Sequence, residues 1–187
     1  MSHLILVRHG QSEWNLQKRF TGWVDVDLTA NGKLEACKAG ELIKDLNIEI
    51  TYFYSSYQKR ALNTLKLILN TIRVKNEKII KAWELNERHY GELTGLNKDD
   101  MKKKYGEDKI FKYRRSWEVS PGPLSKNNPY HPLNIDAYND VPRDKMYSDV
   151  PRPAHMNVMG ISEMNKPKMK KGKLLEYLSE LTTRGGA

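Results

Sequence analysis

Cysteine is almost missing from this sequence. Cys37 stands alone among 187 residues, so no internal disulfide can form, and a cytoplasmic, reducing location is expected. Long apolar runs are missing too. No stretch approaches the roughly 20 residues that a membrane-spanning helix needs. The N-terminus has no basic stretch followed by a long apolar one, so no secretory leader is expected. Acidic residues are in deficit: 23 Asp and Glu face 32 Lys and Arg, for a formal charge of +9 and a pI near 9.5. Such an excess suits either a nucleic acid or a small anionic ligand. Residues 1–96 carry 14 basic and 11 acidic side chains, and residues 97–187 carry 18 and 12. The excess is therefore spread out, apart from a Lys-rich piece at 166–173. No RNA- or DNA-binding motif accompanies that piece, which reads as a solvated tail. The mean hydropathy of −0.73 expects part of the chain to lie outside a packed core. The 39% of apolar residues still suffices to build one.

Proline is scarce where regular elements are expected. Seven of the eight prolines fall between Glu118 and Ala154, which excludes long helices and central strands there. That segment reads as an extended surface excursion. Ahead of it, residues 3–8 read as a short buried strand ending at Gly10. Thr29 reads as a helix cap, followed by Leu34, Cys37, Leu42, Ile43 and Leu46 at helical spacing. Residues 50–54 read as a second strand, and 61–72 as a second helix. Residues 78–83 read as a third strand. This β-α-β-α-β order predicts an α/β fold, with a mostly parallel sheet covered by helices in three layers. Asn97 opens a charged helix, and helix is expected to about Trp117. A last helix is possible at 174–181. The chain reads as one domain over 1–187, with a first half at 1–120, the excursion at 121–153 and a basic tail at 154–187.

Chemistry concentrates at the end of the first expected strand, where parallel sheets bind ligands. His9 sits there beside Arg8, whose planar fork suits phosphate oxygens. Gly10 removes a Cβ from the turn, and Ser12 and Asn15 add short hydrogen-bond donors. This set reads as a cradle for a phosphoryl group, with an imidazole positioned to attack phosphorus. Arg8 and His9 alone would more often be a core histidine beside a paired arginine. The whole run favours the reactive reading.

The run 6–15 resembles the histidine phosphatase superfamily. Phe20, Thr21, Gly22 and Trp23, then 25–29, 55–61, 83–91, 93–98, 104–107 and 113–117, resemble its cofactor-dependent phosphoglycerate mutases. The resemblance covers about residues 3–120 in matching order. It implies a phosphoglycerate mutase-like fold and interconversion of 3- and 2-phosphoglycerate in glycolysis or gluconeogenesis. His9 would be the phosphorylated nucleophile, primed by 2,3-bisphosphoglycerate without a metal. Arg8 and Arg60 would bind the transferring group, and Glu87 would be the general acid and base. Thr21, Gly22, Tyr90, Lys98, Arg114 and Arg115 would hold the rest of the phosphorylated glycerate. Taken singly, Arg114 with Arg115 would be a solvated helix face, and Lys98 a surface lysine. The family also implies a homo-oligomer.

After about residue 150 the pattern departs from the family's. His155 and Asn157 match its second histidine motif, but Met156 replaces a glycine. Pro151 and Pro153 exclude a central strand before it. The expectation is a fold incomplete in its second half, with His155 as second catalytic histidine and Asn157 as a substrate contact. His89 and His131 are weaker candidates. The rival readings are a phosphatase using His9 and a non-catalytic homologue that binds anions or partners.

Overall fold

Short polar side chains set where the helices begin. Thr29 accepts a hydrogen bond from Gly32 N at 3.0 Å, and Asn97 accepts from Asp99 N at 2.8 Å. Each satisfies main-chain donors that a helix start would leave unpaired. The structure, a computed structural model, describes residues 4–75, 78–116, 118–143 and 146. Its elements are α1 (Glu13–Leu16), α2 (Ala30–Asp45), β1 (Phe53–Ser55), α3 (Lys59–Thr71), β2 (Ile79–Lys81), α4 (Lys98–Tyr105) and α5 (Glu107–Arg115). Strands β1 and β2 pair in parallel, with Phe53 opposite Ile79 and Ser55 opposite Lys81. Helix α3 packs on β1, and α2 packs on α3. The α/β class expected from the sequence, with helices on a parallel sheet, is the one observed.

Residues 4–8 differ from expectation. They form no strand among the described residues, and Leu4 and Val7 are 48% and 45% exposed. A parallel strand is stable where both faces are covered, and Leu4 and Val7 have no such cover. Helix α2 differs as well. Of its expected apolar stripe, Leu34, Leu42 and Leu46 face outward and Cys37 and Ile43 are half-buried, while Gly32, Ala36 and Gly40 are buried. A Cβ on Gly40 would lie 2.7 Å from Thr71 Cβ. Small residues thus let α2 and α3 approach more closely than leucines would, and that approach decides the buried face.

The described part of the proline-rich segment includes 3-10 turns at Pro132–Asn134 and Asp136–Tyr138. It is more than a surface excursion, because Leu124, His131, Pro132, Tyr138 and Val141 are buried. Two small cores result. Phe20, Tyr90, Leu93 and Ile110 form one, and Trp23, Tyr138, Val141 and Met146 the other. Thr21 and Gly22 lie between the two in sequence, so the chain is anchored on both sides of them. The calls on 174–181 and on the tail lie outside the described residues.

Candidate active site

His9 lies in the loop between the unpaired run and α1. Its Nδ1 is 2.7 Å from Gly10 O. A carbonyl only accepts, so Nδ1 carries the proton and Nε2 the lone pair. Arg60 agrees with this assignment, since its Nε donates to His9 Nε2 at 3.2 Å. Burial pushes the imidazole pKa down to about 4, and the Arg60 guanidinium adds to the effect. At neutral pH the ring is uncharged, with one nitrogen ready to attack. The loop is held tightly. Gly10 N donates to Thr64 Oγ1 at 3.1 Å, and Thr64 Oγ1 donates to Arg60 O at 2.8 Å. A Cβ on Gly10 would meet Gly32 O at 2.1 Å, so only glycine lets this loop touch the start of α2.

Arg60 occupies the first turn of α3 and is fully buried. Its Nη1 donates to Val24 O at 2.9 Å. Its Nη2 donates to Gly22 O at 2.8 Å and to Glu87 Oε2 at 3.0 Å. Together with the bond to His9, these fix the guanidinium plane. The Glu87 side chain is 35% exposed, so a carboxylate pinned at one oxygen still faces solvent. The start of α3 adds positive potential beside the imidazole.

Around this centre the charge is mostly positive. Arg60, Glu87 and Arg8 act electrostatically on His9, and Glu87 is the one carboxylate among them. Lys98 lies within reach of Arg114, Glu87 and Arg8; burial lowers its pKa, and Arg114 adds to that. Tyr90 is buried near Glu87, Arg114, Arg88 and Arg115, and burial raises its phenol pKa. Arg8 and Arg115 are exposed, and Arg114 is partly so. Thr21 is buried with its Oγ1 free of any hydrogen bond. Gly22 has φ +53°, and a Cβ there would press on Arg88 O at 3.2 Å. Ser12 serves as a helix cap. Its Oγ donates to Asn15 Oδ1 at 2.9 Å and accepts from Asn15 N at 3.2 Å. Asn15 Nδ2 takes no part in that cap.

The structure thus brings Arg8, His9, Arg60, Glu87, Tyr90, Lys98, Arg114 and Arg115 into one electrostatic neighbourhood. His155 and Asn157 lie outside the described residues. His89 and His131 are buried near each other; His89 Nδ1 accepts from Gly91 N and His131 Nδ1 from Leu133 N. Both therefore support backbone. Sequence reading missed Gln58, Thr64 and Tyr138. Gln58 Nε2 donates to Gly22 O at 2.8 Å, and Tyr138 Oη donates to Trp23 O. Gln58 lies in the run 55–61 and Thr64 in the second expected helix, but nothing in the sequence marks their main-chain partners.

Residues 4–127 match the model of the histidine phosphatase superfamily (branch 1). The 2,3-bisphosphoglycerate-dependent phosphoglycerate mutase of Pelagibacter ubique is 69% identical over 146 residues, which cover 78% of this chain and 61% of that protein. The mutase of the same name from Nautilia profundicola is 49% identical over 142 residues, covering 76% and 62%. The chain spans about three-fifths of the length of these curated relatives. Among solved structures, Bacillus stearothermophilus YhfR superposes with a TM-score of 0.56 at 20% identity, covering 85% of this chain and 66% of that one. A mycobacterial glucosyl-3-phosphoglycerate phosphatase gives 0.52 at 21% identity, covering 60% and 53%. At such identities these two neighbours speak to the fold alone.

Proposed function

This chain belongs to the histidine phosphatase superfamily (branch 1), and from that membership we propose that it is a phosphoglycerate mutase acting through a phosphohistidine on His9. One observation carries the reading. A neutral imidazole presents its Nε2 lone pair to Arg60 Nε at 3.2 Å, and the same guanidinium holds Glu87 at 3.0 Å. Nucleophile, anion binder and proton carrier are thereby linked through one side chain.

Several cations gathered around Glu87 suit a ligand with more than one phosphate, so the residues present fit 2,3-bisphosphoglycerate. When bound, it supplies the phosphoryl group that charges His9. Arg8 and Arg60 would hold the transferring group, and Lys98, Arg114 and Arg115 the remaining phosphate and carboxylate. His9 Nε2 forms the new bond to phosphorus while the bond from phosphorus to the leaving oxygen breaks. The Nδ1 proton stays on the ring, and Gly10 O stabilises the cation that results. Arg60 Nε turns from the consumed lone pair to a phosphoryl oxygen, where charge gathers in the transition state. Glu87 takes a proton from the attacking hydroxyl and returns it to the departing oxygen. Thr21, Gly22, Tyr90, Ser12 and Asn15 shape the pocket. His155, Asn157 and assembly as a homo-oligomer rest on the resemblance alone.

Incubation with 2,3-bisphosphoglycerate should leave acid-labile phosphate on His9, read by mass spectrometry. Added 3-phosphoglycerate should then yield 2-phosphoglycerate. Free phosphate as the sole product would instead identify a phosphatase. An unlabelled wild type, or a label that survives His9→Ala, would overturn the assignment.

A further inference from the structure

Two of the acceptors that fix Arg60 are main-chain carbonyls, Gly22 O and Val24 O. The guanidinium therefore lies where the turn at 21–24 places it. That turn closes through Val24 N donating to Thr21 O at 3.1 Å, and Gly22 sits at positive φ. A short turn built on glycine gains freedom rather than rigidity from its own sequence. Its order has to come from outside.

The carbonyl between those two, Trp23 O, accepts from Tyr138 Oη. Gly22 O also accepts from Gln58 Nε2 at 2.8 Å. Three successive carbonyls are thus held, at 22 by Gln58 and Arg60, at 23 by Tyr138 and at 24 by Arg60. Tyr138 arrives from the proline-rich segment and is fully buried. Its ring centre lies 5.0 Å from that of Trp23. We propose that Tyr138 is a positioning residue, fixing the 21–24 turn and through it the Arg60 guanidinium against His9 Nε2. Without the hydroxyl, the bond from Val24 N to Thr21 O is left alone to hold the Trp23–Val24 peptide against rotation. That rotation breaks the bond from Val24 N to Thr21 O and moves the two carbonyls that seat Arg60. Burial raises the Tyr138 pKa, so the phenol remains a donor throughout the working pH range.

The consequence for phosphoryl transfer rests on His9 being the nucleophile, but the decisive measurement does not. Tyr138→Phe keeps the ring and removes the donor. Val141→Ala weakens the same apolar cluster and leaves the hydrogen bonds to the 22–24 carbonyls in place. Both are compared at a temperature at which both are folded by circular dichroism. The His9 ring is titrated by NMR in each. Arg60, Glu87 and Arg8 are the charged groups that face it, and Arg60 helps to hold its pKa near 4. A displaced guanidinium in Tyr138→Phe should let that pKa rise by about 0.5 or more. Phosphorylation of His9 should slow about 10-fold, while KM for the glycerate moves little. Val141→Ala should lower the unfolding temperature and leave the His9 titration unchanged. If Tyr138→Phe behaves like Val141→Ala, the residue is structural only and the proposal falls. If wild type takes no phosphate, the functional reading fails, and the titration still decides the role of Tyr138.

Discussion

Arg60 has three duties in one side chain: it seats on the carbonyls of Gly22 and Val24, holds Glu87 and bonds His9. A planar fork with five donors can do this, and an ammonium cannot. Arg60→Lys keeps the charge but leaves a buried carbonyl unpaired and the imidazole without its donor. Phosphorylation of His9 should fall about 100-fold or more, measured as phosphate incorporation per minute. Near-normal incorporation would show that charge alone suffices there. Arg8, His9, Arg60 and Glu87, which the sequence singled out, meet through their own functional groups. Gln58, Thr64 and Tyr138 act on main-chain atoms. A carbonyl oxygen is the same on every residue, so nothing in the sequence marks which one a distant hydroxyl will meet.

At the scale of elements, starts were easier to read than faces. The caps at Thr29 and Asn97 depend on a side chain and the next few amides, which are local by nature. The buried face of α2 depends on α3, and the leucine stripe pointed the wrong way. Glycine at 32 shows what the true face demands. A Cβ there would sit 2.1 Å from Gln11 O. Alanine is worth about 1 kcal/mol more than glycine in a helix interior. Against that gain, Gly32→Ala forces α2 away from the loop that carries His9, and overpacking costs about 1–3 kcal/mol. A net loss of stability is the expected result in urea denaturation, with slower His9 phosphorylation beside it. A stabilised variant would mean that the loop yields easily. The strand expected at 3–8 went astray for a related reason. Its β-branched, apolar composition is right for a strand, but pairing is a property of neighbours.

The molecule as a whole carries +9 at neutral pH, and part of that excess gathers around His9. The alternation of strand and helix signals made the α/β class readable, because that alternation belongs to the chain rather than to any contact. Acid should unmake the fold through its histidines. His9 and His89 are both held near pKa 4 by burial, against 6.5 for the free side chain, with Arg60 adding to the first and His131 to the second. Between pH 6.5 and 4 the unfolded chain takes protons that the folded chain refuses. Stability therefore falls as pH drops through that window and is flat above it. Linkage gives about 1–2 kcal/mol per histidine between pH 7 and pH 5, read by urea midpoints at the two values. His89→Gln should flatten the dependence in part.

The tie from Tyr138 to Trp23 also bears on time. It joins residues 115 positions apart, whereas α3 and its cap form from neighbours. Closing so long a loop costs about 2 kcal/mol more chain entropy than closing one of ten residues. The seat of Arg60 should therefore be among the last parts to assemble. In stopped-flow refolding, helical signal should recover before the chain can accept phosphate, and the reverse order would exclude this sequence of events. A half-folded chain would then carry His9 without the guanidinium that lies against it.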